Sequence, residues 1–292
     1  MRIAITGASG LIGTALTDSL RRDGHDVLTF VRRATRSDSE IAWSPETGDL
    51  DIVRLEGVDA VVHLAGAGVG DRRWTPAYKR TILQSRVDGT ALIARSVAAA
   101  GVPVLISGSA MGYYGDTASA AVDENSPKGT GFLADVVAAW EAAAQPAIDA
   151  GVRVAFIRTG LVVTPRGGAL AKMLPLFKLG LGGKLGSGDQ YWSTISLRDE
   201  VAAIRFLLER DERGAFNLVG PTPVTNATFT KALARALHRP ALLPVPAFAL
   251  RIVLGEFASE VLGSQRVIPT RLIGAGFEFQ DATVDAITAS AL

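Results

Sequence analysis

The stretch Thr6-Gly7-Ala8-Ser9-Gly10-Leu11-Ile12-Gly13 spaces three glycines three residues apart, directly after the apolar run Arg2–Thr6. That pattern suits a loop carrying a strand into a helix around a phosphate group. Gly7 allows the tight exit, Gly10 lets the backbone approach a pyrophosphate, and Gly13 lets the helix pack closely on the sheet. Free amides at the helix start then face the anion. The spacing is one residue wider at its start than the Gly-x-Gly-x-x-Gly of many dinucleotide sites. Gly7, Ser9, Gly10, Leu11, Ile12 and Gly13 are the expected contacts of a dinucleotide cofactor.

About 20 residues later, an acidic residue would accept hydrogen bonds from a ribose 2′-hydroxyl and select NAD. Phe30-Val31-Arg32-Arg33 stands there instead. Two guanidinium groups suit a 2′-phosphate. Arg32 and Arg33 therefore point to NADP(H), with one such contact giving roughly 10- to 100-fold preference.

The elements that must position these groups are legible. Arg2–Thr6, Asp26–Val31, Asp59–Leu64, Val102–Ser107 and Val152–Arg158 read as strands. Leu11–Arg22, Pro76–Ala100 and Leu133–Ala150 read as helices. Their alternation predicts an α/β fold, a doubly wound parallel sheet of Rossmann type covered on both faces. Residues 1–165 form the nucleotide-binding domain, with the sheet completed by parts of 190–220. Residues 166–292, with Gly-rich loops at 165–168 and 179–188 and prolines at 221, 223, 240, 244 and 246, form a smaller substrate-side lobe. Val245–Leu254 reads there as a packed helix.

Thirty basic residues balance 29 acidic ones, for a formal net charge of +1. No global field draws the chain to nucleic acid or to a membrane, and neither is an expected partner. With no cysteine, disulfides, thiolate metal sites and cysteine nucleophiles are excluded. His25, His63 and His238 lie far apart, and no metal is expected. His63, inside an apolar run, reads as a core or cofactor-edge residue rather than a base. Without a secretory signal or a membrane-length apolar run, a cytoplasmic protein is expected.

Further motifs are Asp59-Ala-Val-Val-His-Leu-Ala-Gly66, Ser85-Arg86, Ser107-Gly-Ser-Ala-Met-Gly-Tyr-Tyr-Gly115, Trp140-Glu141 and Arg158-Thr159-Gly160. With Gly180-Leu-Gly-Gly183 and Val267-Ile-Pro269, the chain resembles atypical, extended short-chain dehydrogenase/reductases. The similar branch is epimerase-like and ends in a short domain of unknown function. The resemblance implies that Leu64, Ala65 and Gly66 line the adenine and ribose side. It also implies that Arg86 approaches the cofactor and that Leu161 lies near the nicotinamide. A helix-paired homodimer is common among such relatives.

Active enzymes of this kind use Tyr-x-x-x-Lys with a nearby Ser or Thr. None of Tyr78, Tyr113, Tyr114 and Tyr191 has Lys four residues on. Counted back from Glu141, the tyrosine and lysine positions hold Leu133 and Val137. The remaining catalytic candidates are Ser109 (with Ser107 the alternative), Tyr113 and Tyr114. Lys172, Lys178 and Lys184 read as solvated lysines, and Asp199 as a helix cap. Two readings follow. One is an NADP(H)-dependent, epimerase-like oxidoreductase of an unnamed small molecule. The other is a cofactor-binding regulatory or sensor protein without turnover.

Overall fold

In the computed structural model, which describes residues 1–292, Ile3 and Ile5 of strand β1 (Arg2–Thr6) enter one core and Ala4 enters another. A strand buried on both faces needs no polar alternation, so the run is continuously apolar. Helix α1 (Leu11–Arg22) and β2 (Asp26–Val31) follow. Next come β3 (Glu40–Ser44) and β4 (Asp49–Leu50), a hairpin the sequence reading did not contain. Its apolar alternation is only three residues long: Ile41 and Trp43 are buried and Ala42 is exposed. Then come β5 (Ala60–His63), α2 (Pro76–Ala100), β6 (Val104–Ala110) and β7 (Ala121–Val122).

A single helix was expected over Leu133–Ala150. Two form instead, α3 (Phe132–Ala142) and α4 (Gln145–Asp149). Pro146 has no amide to donate and its ring would strike the carbonyl four residues back, so the first helix ends and the second starts with proline in its first turn. The chain continues through β8 (Arg153–Thr159), β9 (Leu161–Val163), α5 (Gly168–Lys178), β10 (Tyr191–Trp192), β11 (Thr194–Ser196), α6 (Leu197–Glu209), β12 (Gly214–Leu218) and β13 (Val224–Thr225). It ends with α7 (Asn226–Ala236), α8 (Ala247–Leu254), α9 (Ala258–Leu262), β14 (Arg266–Val267), α10 (Thr270–Gly274) and α11 (Val284–Ser290).

The main sheet runs β12-β8-β6-β5-β1-β2-β3-β4. Every pair is parallel except β3–β4. Leu16 and Leu20 of α1 and Leu207 of α6 fill the core on one face. Leu92, Ile93 and Val97 of α2 fill the other. Truncating any one of these buried side chains to Ala would cost about 2–5 kcal/mol. The chain leaves β1 toward β2 on one side and returns as β5 on the other. That reversal opens a crevice at the carboxyl ends of β1 and β5, where ligands of open α/β sheets bind.

A separate cluster beneath the smaller lobe is filled from α5, α7 and α11, including Phe177, Phe229 and Ile287. No residue of α8 joins it. The packed helix expected over Val245–Leu254 forms as α8 without burying a single residue. No helix is long and apolar enough to cross a membrane.

Candidate cofactor crevice and substrate cavity

Thr6 ends β1 and fastens it to β5. Its hydroxyl oxygen accepts from the amides of Leu64 (3.0 Å) and Ala65 (3.2 Å). It lies 2.8 Å from His63 Nδ1. With both amides pointing at the oxygen, the hydroxyl proton goes to Nδ1, and the ring proton sits on Nε2. Burial holds the His63 pKa down at about 3, so the ring is neutral and structural.

Gly7 has φ +67°, and a Cβ there would stand 2.9 Å from the Leu64 carbonyl carbon. A Cβ on Gly13 would fall 2.1 Å from the Gly7 carbonyl oxygen. The loop therefore presses against β5 on one side and the first turn of α1 on the other. Gly10 caps α1 without a side chain, so the first amides of the helix have no side-chain acceptor. Ser9 is exposed, and Leu11 and Ile12 are half-buried beside it. This cradle, with bare amides and no room for a Cβ, fits a pyrophosphate.

The two arginines after β2 have different fates. Arg33 forms a fork on Glu40, with Nη1 at 2.8 Å and Nη2 at 2.5 Å from its two carboxylate oxygens. Glu40 also accepts the Arg36 amide, and these bonds, the Arg33 fork foremost, hold it at about pKa 2. Arg33, expected as a phosphate ligand, is thus paired within the chain, because β3 delivers a carboxylate to it. Arg32 is exposed and makes no ion pair, so it is the guanidinium left for a 2′-phosphate.

Arg86 reaches the crevice from α2. It donates to the carbonyls of Ala67 (2.8 Å) and Ile82 (3.1 Å) and lies against Gly66 and over the Trp140 ring. It supports the loop after β5 through the backbone. Burial lowers its pKa to about 10. Leu161 opens β9 one residue beyond Gly160 and packs toward the smaller lobe's core.

Two of the three catalytic candidates are built into a buried network. The Ser109 hydroxyl donates to Glu141 at 2.6 Å. Arg158 donates twice to Glu141, at 2.8 Å each, and once to the Tyr114 hydroxyl at 3.0 Å. Tyr114 in turn donates to Asn217 at 2.8 Å. Burial pulls the Arg158 pKa down, but Glu141 and Tyr114 lift it above its usual value overall. Burial raises that of Tyr114. These groups bond one another, so the Ser109 and Tyr114 hydroxyls, expected to face a substrate, have partners within the chain. Ser107, the alternative serine, is fully buried. Tyr113 lies with its ring 3.5 Å from the Arg158 guanidinium carbon, and its hydroxyl has no partner within the chain.

Above this network lies a cavity of about 330 Å³. Trp74, Phe132, Leu133 and Gly112 form its apolar wall. A Cβ on Gly112 would lie 3.3 Å from Leu133 Cβ. The opposite wall carries Asp116, Glu256 and Glu260. Asp116 accepts from the amides of Ala118 and Ser264, and Glu256 pairs with Lys79 at 2.6 Å. Glu260 has no such partner. Burial, then the charges of Asp116 and Glu256, raises its pKa. The sequence reading missed all three carboxylates. Glu256 and Glu260 stand four residues apart but Asp116 is distant in sequence, and the bonds from Ser264 to Asp116 and Ala118 bring its loop beside them.

Residues 3–238 match the model of the NAD dependent epimerase/dehydratase family, and residues 245–289 match a domain of unknown function, DUF1731. The chain belongs to the NAD dependent epimerase/dehydratase family. It is 50 % identical to an epimerase family protein of Mycobacterium bovis, over 97 % of its own length and 94 % of that protein's. It is 39 % identical to the bovine epimerase family protein SDR39U1, over 96 % and 95 %. The crystal structure of human SDR39U1, solved with NADPH, superposes with a TM-score of 0.92 at 33 % identity, covering 100 % of this chain and 99 % of the human one. Leu133 and Val137, the two positions that the sequence reading counts back to from Glu141, are both apolar. Leu133 lines the cavity and Val137 is buried.

Proposed function

We propose that this epimerase family member is an NADP(H)-binding oxidoreductase whose substrate is a small uncharged or cationic molecule. The observation that carries the cofactor is the Gly7–Gly13 cradle at the β1–β5 crevice, with Arg32 unpaired at the end of β2. The NADPH of the human relative supports the same reading. In this chain Gly7, Gly10 and the first amides of α1 would hold the pyrophosphate. Arg32 would hold the 2′-phosphate, and Leu64–Gly66 would border the adenine side. A bound nicotinamide supplies hydride chemistry.

The substrate class follows from the cavity. Asp116 has no cationic partner in this wall, and Lys79 is already taken by Glu256, so the wall offers a sugar nucleotide diphosphate like charge and no free cation, at a cost of several kcal/mol. Leu133 and Val137 can move no proton. Glu260 is the carboxyl without an ion pair, and burial, with the charges of Asp116 and Glu256, raises its pKa above the usual carboxylate value, so it is the group there suited to carry a proton.

The test is titration of the protein with NADPH, NADP and NADH by nicotinamide fluorescence, with Arg32→Ala and Arg33→Ala alongside. NADPH binding should weaken about tenfold or more in Arg32→Ala and less in Arg33→Ala. Equal or absent binding of all three cofactors would sink the reading. A screen of neutral carbonyl compounds and polyols should then give turnover that Glu260→Gln removes without changing NADPH affinity. The second reading, a sensor without turnover, is favoured by the locking of Ser109 and Tyr114 into the Glu141–Arg158 network. Tight NADPH binding with no turnover across that screen would select it.

A further inference from the structure

The exposed face of α8 is unexplained by the cofactor or the cavity. Phe248, Arg251 and Ile252 fall on one side of this helix, three and four residues apart. Phe248 is 65 % exposed, Ile252 67 % and the adjacent Val253 73 %. The edge continues beyond the helix. Residues 178–186 run beside 239–246, joined by bonds from Arg239 Nε to the Lys178 carbonyl, from the Leu243 amide to Gly182 and from the Val245 amide to Lys184. Leu179 and Leu242 project from this pair of segments. Most of the chain's exposed large apolar side chains gather here.

The charge on this edge is of one sign. No Asp or Glu occurs in residues 150–188 or 213–255. Lys178, Lys184, Arg239 and Arg251 are exposed, and none forms an ion pair. The carboxylates flanking these runs in sequence are Asp149, Asp189, Glu212 and Glu256, of which Glu212 is paired with Arg271 and Glu256 with Lys79. A net charge near zero therefore conceals a segregated cationic and apolar edge.

We infer that this edge of the smaller lobe docks on an anionic lipid surface. Phe248, Ile252 and Leu242 would enter the boundary between headgroups and acyl chains, with Lys178, Arg239 and Arg251 at the phosphates. Two copies meeting through this edge would bring like charges together. A folded protein partner would find few directional bonds: Pro240, Pro244 and Pro246 lack amides, and the Leu243 and Val245 amides are already used. A bilayer asks for neither register nor directional donors.

The experiment is sedimentation of the full chain with vesicles of phosphatidylcholine alone and of phosphatidylcholine carrying about one-third phosphatidylglycerol. The protein should sediment with the anionic vesicles and stay behind with the neutral ones. Salt at about 1 M, where screening acts within about 3 Å, should release it. Lys178→Glu/Arg251→Glu should weaken partitioning about thirtyfold or more. Phe248→Ser/Ile252→Ser should abolish it. Both variants should keep the parent's melting temperature and NADPH affinity, because neither touches a core or the crevice. Failure to sediment with anionic vesicles would overturn the inference, as would sedimentation unchanged in both variants. A dimer in light scattering that Phe248→Ser/Ile252→Ser returns to monomer would assign the edge to a second copy. Binding to polyglutamate but not to vesicles would assign it to an acidic protein, and either result rejects the lipid surface.

Discussion

Glu200 shows how one side chain sets a property of the whole protein. It lies in the first turn of α6, fully buried, with Oε1 accepting from the Thr159 hydroxyl at 2.7 Å and Oε2 without a partner. Burial raises its pKa from the usual 4.5 to about 8. The folded state thus binds this proton more tightly than the unfolded chain does. Stability is greatest below the unfolded value and falls as pH rises from about 4.5, levelling above about 8. Thermal melts of the parent between pH 5 and 9 should show that decline. Glu200→Gln, which has no charge to bury, should flatten it and be the more stable protein at pH 9. A parallel decline in the variant would show that other groups control it. Nothing in the sequence marks Glu200, because burial is a property of its surroundings.

At the scale of elements, the loop from β1 to α1 was legible because its demands are local. Gly13 must be glycine, since any Cβ would meet the Gly7 carbonyl at 2.1 Å. Gly13→Ala should cost about 1–3 kcal/mol as the helix is pushed off the loop. It should also weaken NADPH at least as much as Arg32→Ala, since the amides move with the helix. A melt and the same fluorescence titration check both effects, and an Ala variant with parental affinity would mean that the loop does not hold the cofactor. The arginines were half legible for the opposite reason. Val31-Arg32-Arg33 identifies the strand end, but the partner of Arg33 arrives from β3, whose short Ile41–Trp43 alternation gave little warning. The bonding of Ser109 and Tyr114 was hidden in the same way. Their motif places them near the site, whereas Glu141, Arg158 and Asn217 come from α3, β8 and β12 and occupy their hydroxyls. Pro146, by contrast, broke the expected Leu133–Ala150 helix through a rule readable from the sequence.

Across the whole molecule, the question is what makes the smaller lobe move with the sheet. Asp199 supplies part of the answer. It reads as a helix cap, but Ser196 takes that role by accepting the Asp199 amide at 3.1 Å. The Asp199 carboxylate, fully buried, instead accepts the amides of Gln280 (3.0 Å) and Asp281 (2.9 Å). Asp281 then pairs with Arg198 on the same helix. The neighbouring Phe277 and Leu272 join the core formed by β1, α1 and α6, so C-terminal residues close the sheet's own interior. Asp199→Ala would strand two buried amides, at about 1–3 kcal/mol each. Hydrogen exchange in residues 277–283 should accelerate in that variant, while amides of β1 and β5 keep their protection. Global melting should fall with it, because Phe277 and Leu272 lose their anchor. If exchange at 277–283 were unchanged, the clamp would be redundant, and the aromatic packing of Phe206, Phe277 and Phe279 would by itself hold the lobe to the sheet.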